Sequence, residues 1–161
     1  MNGGKFLITV LSFILVSLIL IFLITSNTEP DKSPSTIIEV QPLHTQNITQ
    51  AQVESFKINS FYSVTVTLEF NTTTNTTITI QTTGINMYLN YTKPENATIT
   101  DISLNKYGYK AITIKPTSKK FKIKITVNSG DMIVGYKQYN ILQITAITEK
   151  IKEDYAVVVK L

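Results

Sequence analysis

His44, in the stretch QPLHTQ, is the only histidine of the 161-residue chain, and cysteine is absent. A Ser–His–Asp relay needs its imidazole held by a folded scaffold, whereas His44 falls in an extended stretch before the first confident strand. With no second histidine and no thiolate, the nitrogen and sulfur donors of a zinc site are missing. Disulfides and cysteine nucleophiles are excluded with them. The carboxylates Glu39, Glu54, Glu69, Asp101, Asp131, Glu149, Glu153 and Asp154 are scattered, and only KEDY (152–155) sets two together, without the spacing of an EF-hand loop. The six glycines stand singly or as Gly3-Gly4, and no phosphate-cradling loop follows a strand. The expectation is a protein without catalytic residues, metal or cofactor.

One chemistry is well represented, and it is chemistry done to the chain. Asn47, Asn71, Asn75, Asn90 and Asn96 each begin an Asn-x-Thr triplet without proline, the acceptor signal for N-glycosylation on an exported protein. Twelve asparagines among this much serine and threonine give about two or three such triplets by chance. Five is therefore a modest excess, and position matters more than number. Asn71 and Asn75 fall between two expected strands, Asn96 follows the KPE turn, Asn90 points away from the apolar face of its strand, and Asn47 precedes the first confident strand. The plainer alternative is that Asn and Thr here make turns and exposed strand faces.

Two other groups could form a contact surface. Lys115, Lys119, Lys120, Lys122 and Lys124 fall within ten residues, and the last three share one strand face. Such a row attracts acidic partners, glycans or headgroups, or it simply keeps an edge strand from pairing with neighbours. Tyr107, Tyr109, Tyr136 and Tyr139 offer amphipathic contact area, although outward tyrosines are ordinary on strands. The formal charge of +4 is carried by lysine alone. The absence of arginine argues against nucleic acid, whose bases and phosphates are usually read by guanidinium forks. Residues 1–100 hold four Lys against six acids and residues 101–161 eleven against five, so the second half is the freer to dock.

The elements that must position these groups begin with FLITVLSFILVSLILIFLI, residues 6–24, which carries no charge. As a helix it spans roughly 28 Å, close to the hydrocarbon thickness of a bilayer. Lys5 before it and Glu29 and Asp31 after it place the N-terminus in the cytoplasm and the remainder outside. A cleaved signal peptide or a pilin-like leader are the alternatives, and both also export the rest of the chain. Residues 25–36, with Pro30 and Pro34, form a polar spacer. From residue 37 to 161 period-two alternation recurs. Val64, Val66, Leu68 and Phe70 share a face, as do Ile85, Met87, Leu89 and Tyr91, and again Phe121, Ile123, Ile125 and Val127. About eight short strands are expected, at 62–70, 76–82, 85–91, 97–103, 109–115, 121–127, 140–147 and 155–161, while TEKIKED (148–154) is at most one helical turn. This spacing predicts an all-β, antiparallel β-sandwich, immunoglobulin-like, with a partly closed barrel as the alternative.

The apolar leader FLITVLSFILVSLILIFLI together with the repeated sequons resembles small archaeal cell-envelope proteins. In layout the chain is similar to archaellum stator proteins and pilus-associated proteins. That resemblance implies docking to a surface layer or filament, and no functional residue transfers with it. The leading expectation is a single-pass membrane protein held in the bilayer by residues 6–24, whose outer domain binds an envelope protein or surface glycan. Homo-oligomerisation stays open. A second expectation is a secreted filament subunit, in which STIIEVQPL (35–43) donates a strand through Ile38 and Val40 to a neighbour. A third is a solute-binding or sensory ectodomain, which needs a concave pocket.

Overall fold

The computed structural model describes residues 36–43, 49–60, 62–106, 108–132 and 138–160. They belong to one compact unit, Thr36–Leu161, with Met1–Ser35 as the other. The apolar segment 6–24, the spacer up to Ser35, His44 and Asn47 lie outside the described residues. Among the described residues there is no helix, hence none long and apolar enough to cross a membrane.

Ten strands succeed one another: β1 (Ile37–Pro42), β2 (Gln50–Ser60), β3 (Ser63–Asn71), β4 (Thr77–Thr82), β5 (Met87–Tyr91), β6 (Ala97–Asn105), β7 (Gly108–Pro116), β8 (Lys120–Ser129), β9 (Gln138–Ile147) and β10 (Lys152–Lys160). All pairings are antiparallel. The eight expected strands are present with shifted ends, and β1 and β2 are additional. TEKIKED makes no helix. Thr148 and Ile151 close a turn through N–H to carbonyl at 2.9 Å, and Lys152–Asp154 already belong to β10.

The hydrogen-bonded order is β1-β10-β9-β4-β7-β5-β8-β3-β2, with β6 on the other edge of β7. β7 pairs with β4 through residues 111–114 but meets β5 only at Leu89 and Tyr109. The sheet therefore divides there. β1, β10, β9, β4, β7 and β6 form one half; β5, β8, β3 and β2 form the other. A single buried cluster draws on both, with Ile78, Ile80, Ile112, Ile114, Ile144 and Val157 from the first and Val64, Leu68, Phe70, Leu89, Phe121 and Ile125 from the second. With no helix to cover either half, each covers the other. Phe70 and Phe121 stack at 4.8 Å and 8° inside this core. At the extremes of the path, β1 comes alongside β2 with no described ladder between them.

The outward faces explain the threonine content. Thr65 and Thr126 share a hydrogen bond at 2.9 Å across β3 and β8, Thr79 and Thr113 one at 3.4 Å across β4 and β7, and Gln81 reaches Gln143 at 3.1 Å. Cross-strand pairs of this kind contribute about 0.2–1 kcal/mol each. β-branched residues with one polar atom thus satisfy both strand propensity and the solvent face.

Antiparallel order sorts the connections to two ends. The chain enters at Thr36 beside the end of β10, and that entry end also carries Tyr62, residues 83–86, the end of β6 and residues 129–132. The far end carries the connections 72–76, 92–96, 117–119 and 148–151. One expected core position fails. Ile85 lies in the turn before β5, not on it, and is 90% exposed.

Candidate interaction surface

Four sequon asparagines are described, and all are exposed. Asn71 ends β3, Asn75 lies in the 72–76 turn, Asn96 in the 92–96 connection, and Asn90 faces outward on β5. Asn96 takes φ 60°, a left-handed conformation that asparagine tolerates, and its carbonyl accepts the Thr117 N–H at 2.8 Å. Asn71, Asn75 and Asn96 are at the far end, while Asn90, opposite Thr126 of β8, lies partway along the sheet, three residues short of the entry-end Ser129.

The lysine row divides between strands. Lys120, Lys122 and Lys124 alternate with buried Phe121, Ile123 and Ile125 on β8 and share its outer face. Lys115 stands on β7, a strand paired with β4 and β6, and Lys119 lies in the intervening turn, where its carbonyl accepts the Thr72 N–H. β8 is not an edge. It pairs with β3 along its length and with β5 over 125–129, while beside Lys120, Lys122 and Lys124 its second edge is met only by the 92–96 connection. Cross-strand charge matching accounts for part of the row. Glu69 lies opposite Lys122 in the β3–β8 register at 3.7 Å, and Glu54, at a bulge of β2, also pairs with Lys122. The hydrogen bond that Lys122 Nζ donates to the Glu54 carboxylate raises the pKa of the ammonium above its usual range. Lys120 and Lys124 have no carboxylate within ion-pair distance among the described residues.

Beside them the 92–96 connection rises from the sheet. Thr92 donates its N–H to the Lys124 carbonyl at 2.9 Å, and Glu95 forms a single bridge with Lys122. The groove so formed measures about 540 Å3 and is lined by Lys93, Lys120, Lys122 and Lys124 against Glu69 and Glu95, with Asn96 at its border. It gathers the ammonium groups of both paired Lys122 and unpaired Lys120 and Lys124 beside Thr67 and Thr92.

The tyrosines are not gathered into a patch. Tyr107 and Tyr136 lie outside the described residues. Tyr109 and Tyr139 are half-buried and pack against the core, Tyr109 with its ring 5.6 Å from that of Tyr91. Their strand positions turn these two partly toward the core, which leaves only part of each ring for an outside contact. The exposed tyrosine at the entry end, Tyr62, was not among the expected four.

Sequence reasoning also missed a polar cluster inside the far end. Glu153 is 1% exposed and accepts the Thr49 N–H at 3.0 Å and the Tyr155 hydroxyl at 2.6 Å. That hydroxyl lies within reach of the Thr49 carbonyl as well. Thr49 Oγ1 meets Thr72 Oγ1 at 3.0 Å, and Thr72 donates to Thr76 at 2.9 Å. Burial, then the adjacent Glu153 carboxylate, push the Tyr155 phenol far above its usual range. The cluster ties the start of β2, the 72–76 turn and the start of β10 together. Every buried side-chain nitrogen and oxygen among the described residues has a partner.

The strand-donation expectation meets an occupied strand. Ile38 and Val40 of β1 pair with Val159 and Val157 of the chain's own β10. No family model matches the chain, and no curated protein is similar to it. A crystal structure of the yeast GGA1 GAE domain aligns with 76% of this chain and 97% of its own, at 12% identity and a TM-score of 0.33. A likeness at that level says nothing of function.

Proposed function

We propose that the chain is a membrane-anchored, extracytoplasmic protein whose immunoglobulin-like β-sandwich domain docks to another component of the cell envelope without catalysis. The observation that carries this reading is the placement of the sequons. All four described asparagines are exposed, and three of them, Asn71, Asn75 and Asn96, stand at the end opposite the one at which Thr36 enters the domain; Asn90 lies on the outer face between the two ends. An anchored ectodomain needs this polarity, with sugar on the side facing outward and the stalk on the other. The groove beside Lys93, Lys120 and Lys124 is the contact surface, suited to an acidic protein segment or an anionic surface glycan. Asn96 at its border puts a glycan where it would frame the groove.

Fractionation of native cells tests the proposal. The protein should stay with membranes through alkaline carbonate washing and drop in apparent mass on removal of N-glycans. Recovery as sugar-free, freely soluble protein would reject it.

A further inference from the structure

The entry end carries five of the nine large apolar side chains that stand exposed among the described residues; the others are Leu43, Phe56, Ile102 and Ile147. Ile37 opens β1, Tyr62 follows β2, Ile85 caps the turn before β5, Leu104 sits near the end of β6, and Met132 follows β8. All five are more than half or about half exposed, Ile85 at 90% and Leu104 at 67%. Three of the segments are fastened to one another. Ser129 donates its N–H to the Tyr62 carbonyl at 2.9 Å, Gly130 to the Asn86 carbonyl at 3.1 Å, and Asn86 Nδ2 to Asp131 at 3.0 Å. Lys110 Nζ bonds the Gly84 carbonyl behind them. The apolar tips are thus presented by a braced rim, where a soluble domain ordinarily shows polar turns.

We infer that this rim, centred on Ile85, Leu104, Tyr62 and Met132, rests on the surface of the bilayer that holds the leader. The inference depends on reading residues 6–24 as an anchor. Chain length favours this occupant. Only twelve residues, 25–36, separate the apolar segment from Ile37. They reach at most about 40 Å when fully extended, while β8 alone measures about 33 Å. Bringing the far end to the lipid would require nearly the whole spacer to run alongside the domain, whereas the rim is next to where the chain arrives. The chemistry agrees: aliphatic tips with a tyrosine suit the boundary between headgroup and acyl chain. Lys106, Lys110 and Lys160 share this end with Glu39 and Asp131, a balance that does not repel anionic headgroups. The sequon-bearing far end, where Leu43 and Ile147 are the exposed large apolar side chains, then faces away.

The cysteine-free sequence allows a direct test. Full-length protein carrying Ser17→Cys, Ile85→Cys or Lys150→Cys is labelled with an environment-sensitive fluorophore and reconstituted into phosphatidylcholine–phosphatidylglycerol vesicles. A lipid-borne quencher should quench the labels at 17 and 85 strongly and leave the label at 150, at the far end, bright. Quenching at 17 with none at 85 overturns the rim contact and leaves the anchor standing; a second copy or a protein partner on the rim would give this result. No quenching at 17 removes the anchor reading and, with a silent 85, this inference too. As a second arm, a label at Met132→Cys should lose its quenching when Leu104→Ser and Ile85→Ser are added, with the far-ultraviolet spectrum unchanged. Persistence of quenching in that variant counts against the rim.

Discussion

Replacing Tyr155 by phenylalanine removes one oxygen from the cluster that closes the far end of the domain. Glu153 loses its 2.6 Å partner while its carboxyl stays buried, and the Thr49 carbonyl loses a hydroxyl as well. A hydrogen bond to a charged group contributes roughly 1.5–3 kcal/mol, and the buried groups left behind keep their desolvation cost. The ring itself still fills its place, so no cavity term is added. The expected loss is about 2–3 kcal/mol, some 6–12 °C in Tm for a domain of this size, measured by urea or thermal unfolding of the native protein followed in the far ultraviolet. The pH dependence provides an independent signature. The folded phenol holds its proton more tightly than in the unfolded chain, where tyrosine titrates near 10. Below that pH both states are protonated and the stabilisation is fully present. Above it only the unfolded chain ionises, so stability declines as pH rises. The wild-type advantage over Tyr155→Phe should be constant from pH 6 to 9 and shrink in more alkaline solution. A difference below about 0.5 kcal/mol, or one that grows with pH above 10, would refute the argument.

Phe70→Ala should cost about 3–5 kcal/mol in unfolding free energy, because it deletes a buried ring stacked on Phe121. Gly108→Ala should cost about 1–3 kcal/mol, since Gly108 has φ +143° and an added Cβ would stand 3.1 Å from Tyr88 Cδ2. Lys122→Ala should lower stability only slightly, and the change should fade in high salt, as for exposed ion pairs in general, which unfolding at low and high salt checks. Asn47→Gln, Asn71→Gln, Asn75→Gln, Asn90→Gln and Asn96→Gln, made singly in the native host, should each lower the apparent mass where the site carries sugar; five unshifted bands would remove the glycoprotein reading.

Much of the sheet was legible because alternation and burial coincide. On β3 and β8 the residues Val64, Val66, Leu68, Phe70, Phe121, Ile123, Ile125 and Val127 are buried as the pattern requires. β2 escaped because it is an edge strand with mostly exposed side chains, and bulges after Val53 and Ile58 break its period. β10 shows why alternation is not the only signal, since both of its faces are buried from Glu153 to Val159. Ile85 misled because three alternating residues beyond a turn look like four on a strand. The Thr49–Thr72–Thr76–Glu153 cluster could not be read at all. Its members are polar, and their burial comes from distant segments meeting at one end. The lysine row was visible in the sequence, but its partners Glu54 and Glu69 became visible only through the β2–β3–β8 register.

Which side of the membrane the domain occupies decides the account most directly. Lys150 lies exposed in the 148–151 turn at the far end, outside every sequon, in a chain without cysteine. A Lys150→Cys variant expressed in the native host and treated with a membrane-impermeant thiol reagent should be labelled on intact cells as fully as after lysis. Labelling that appears only once the cells are broken would place the domain inside and contradict the account.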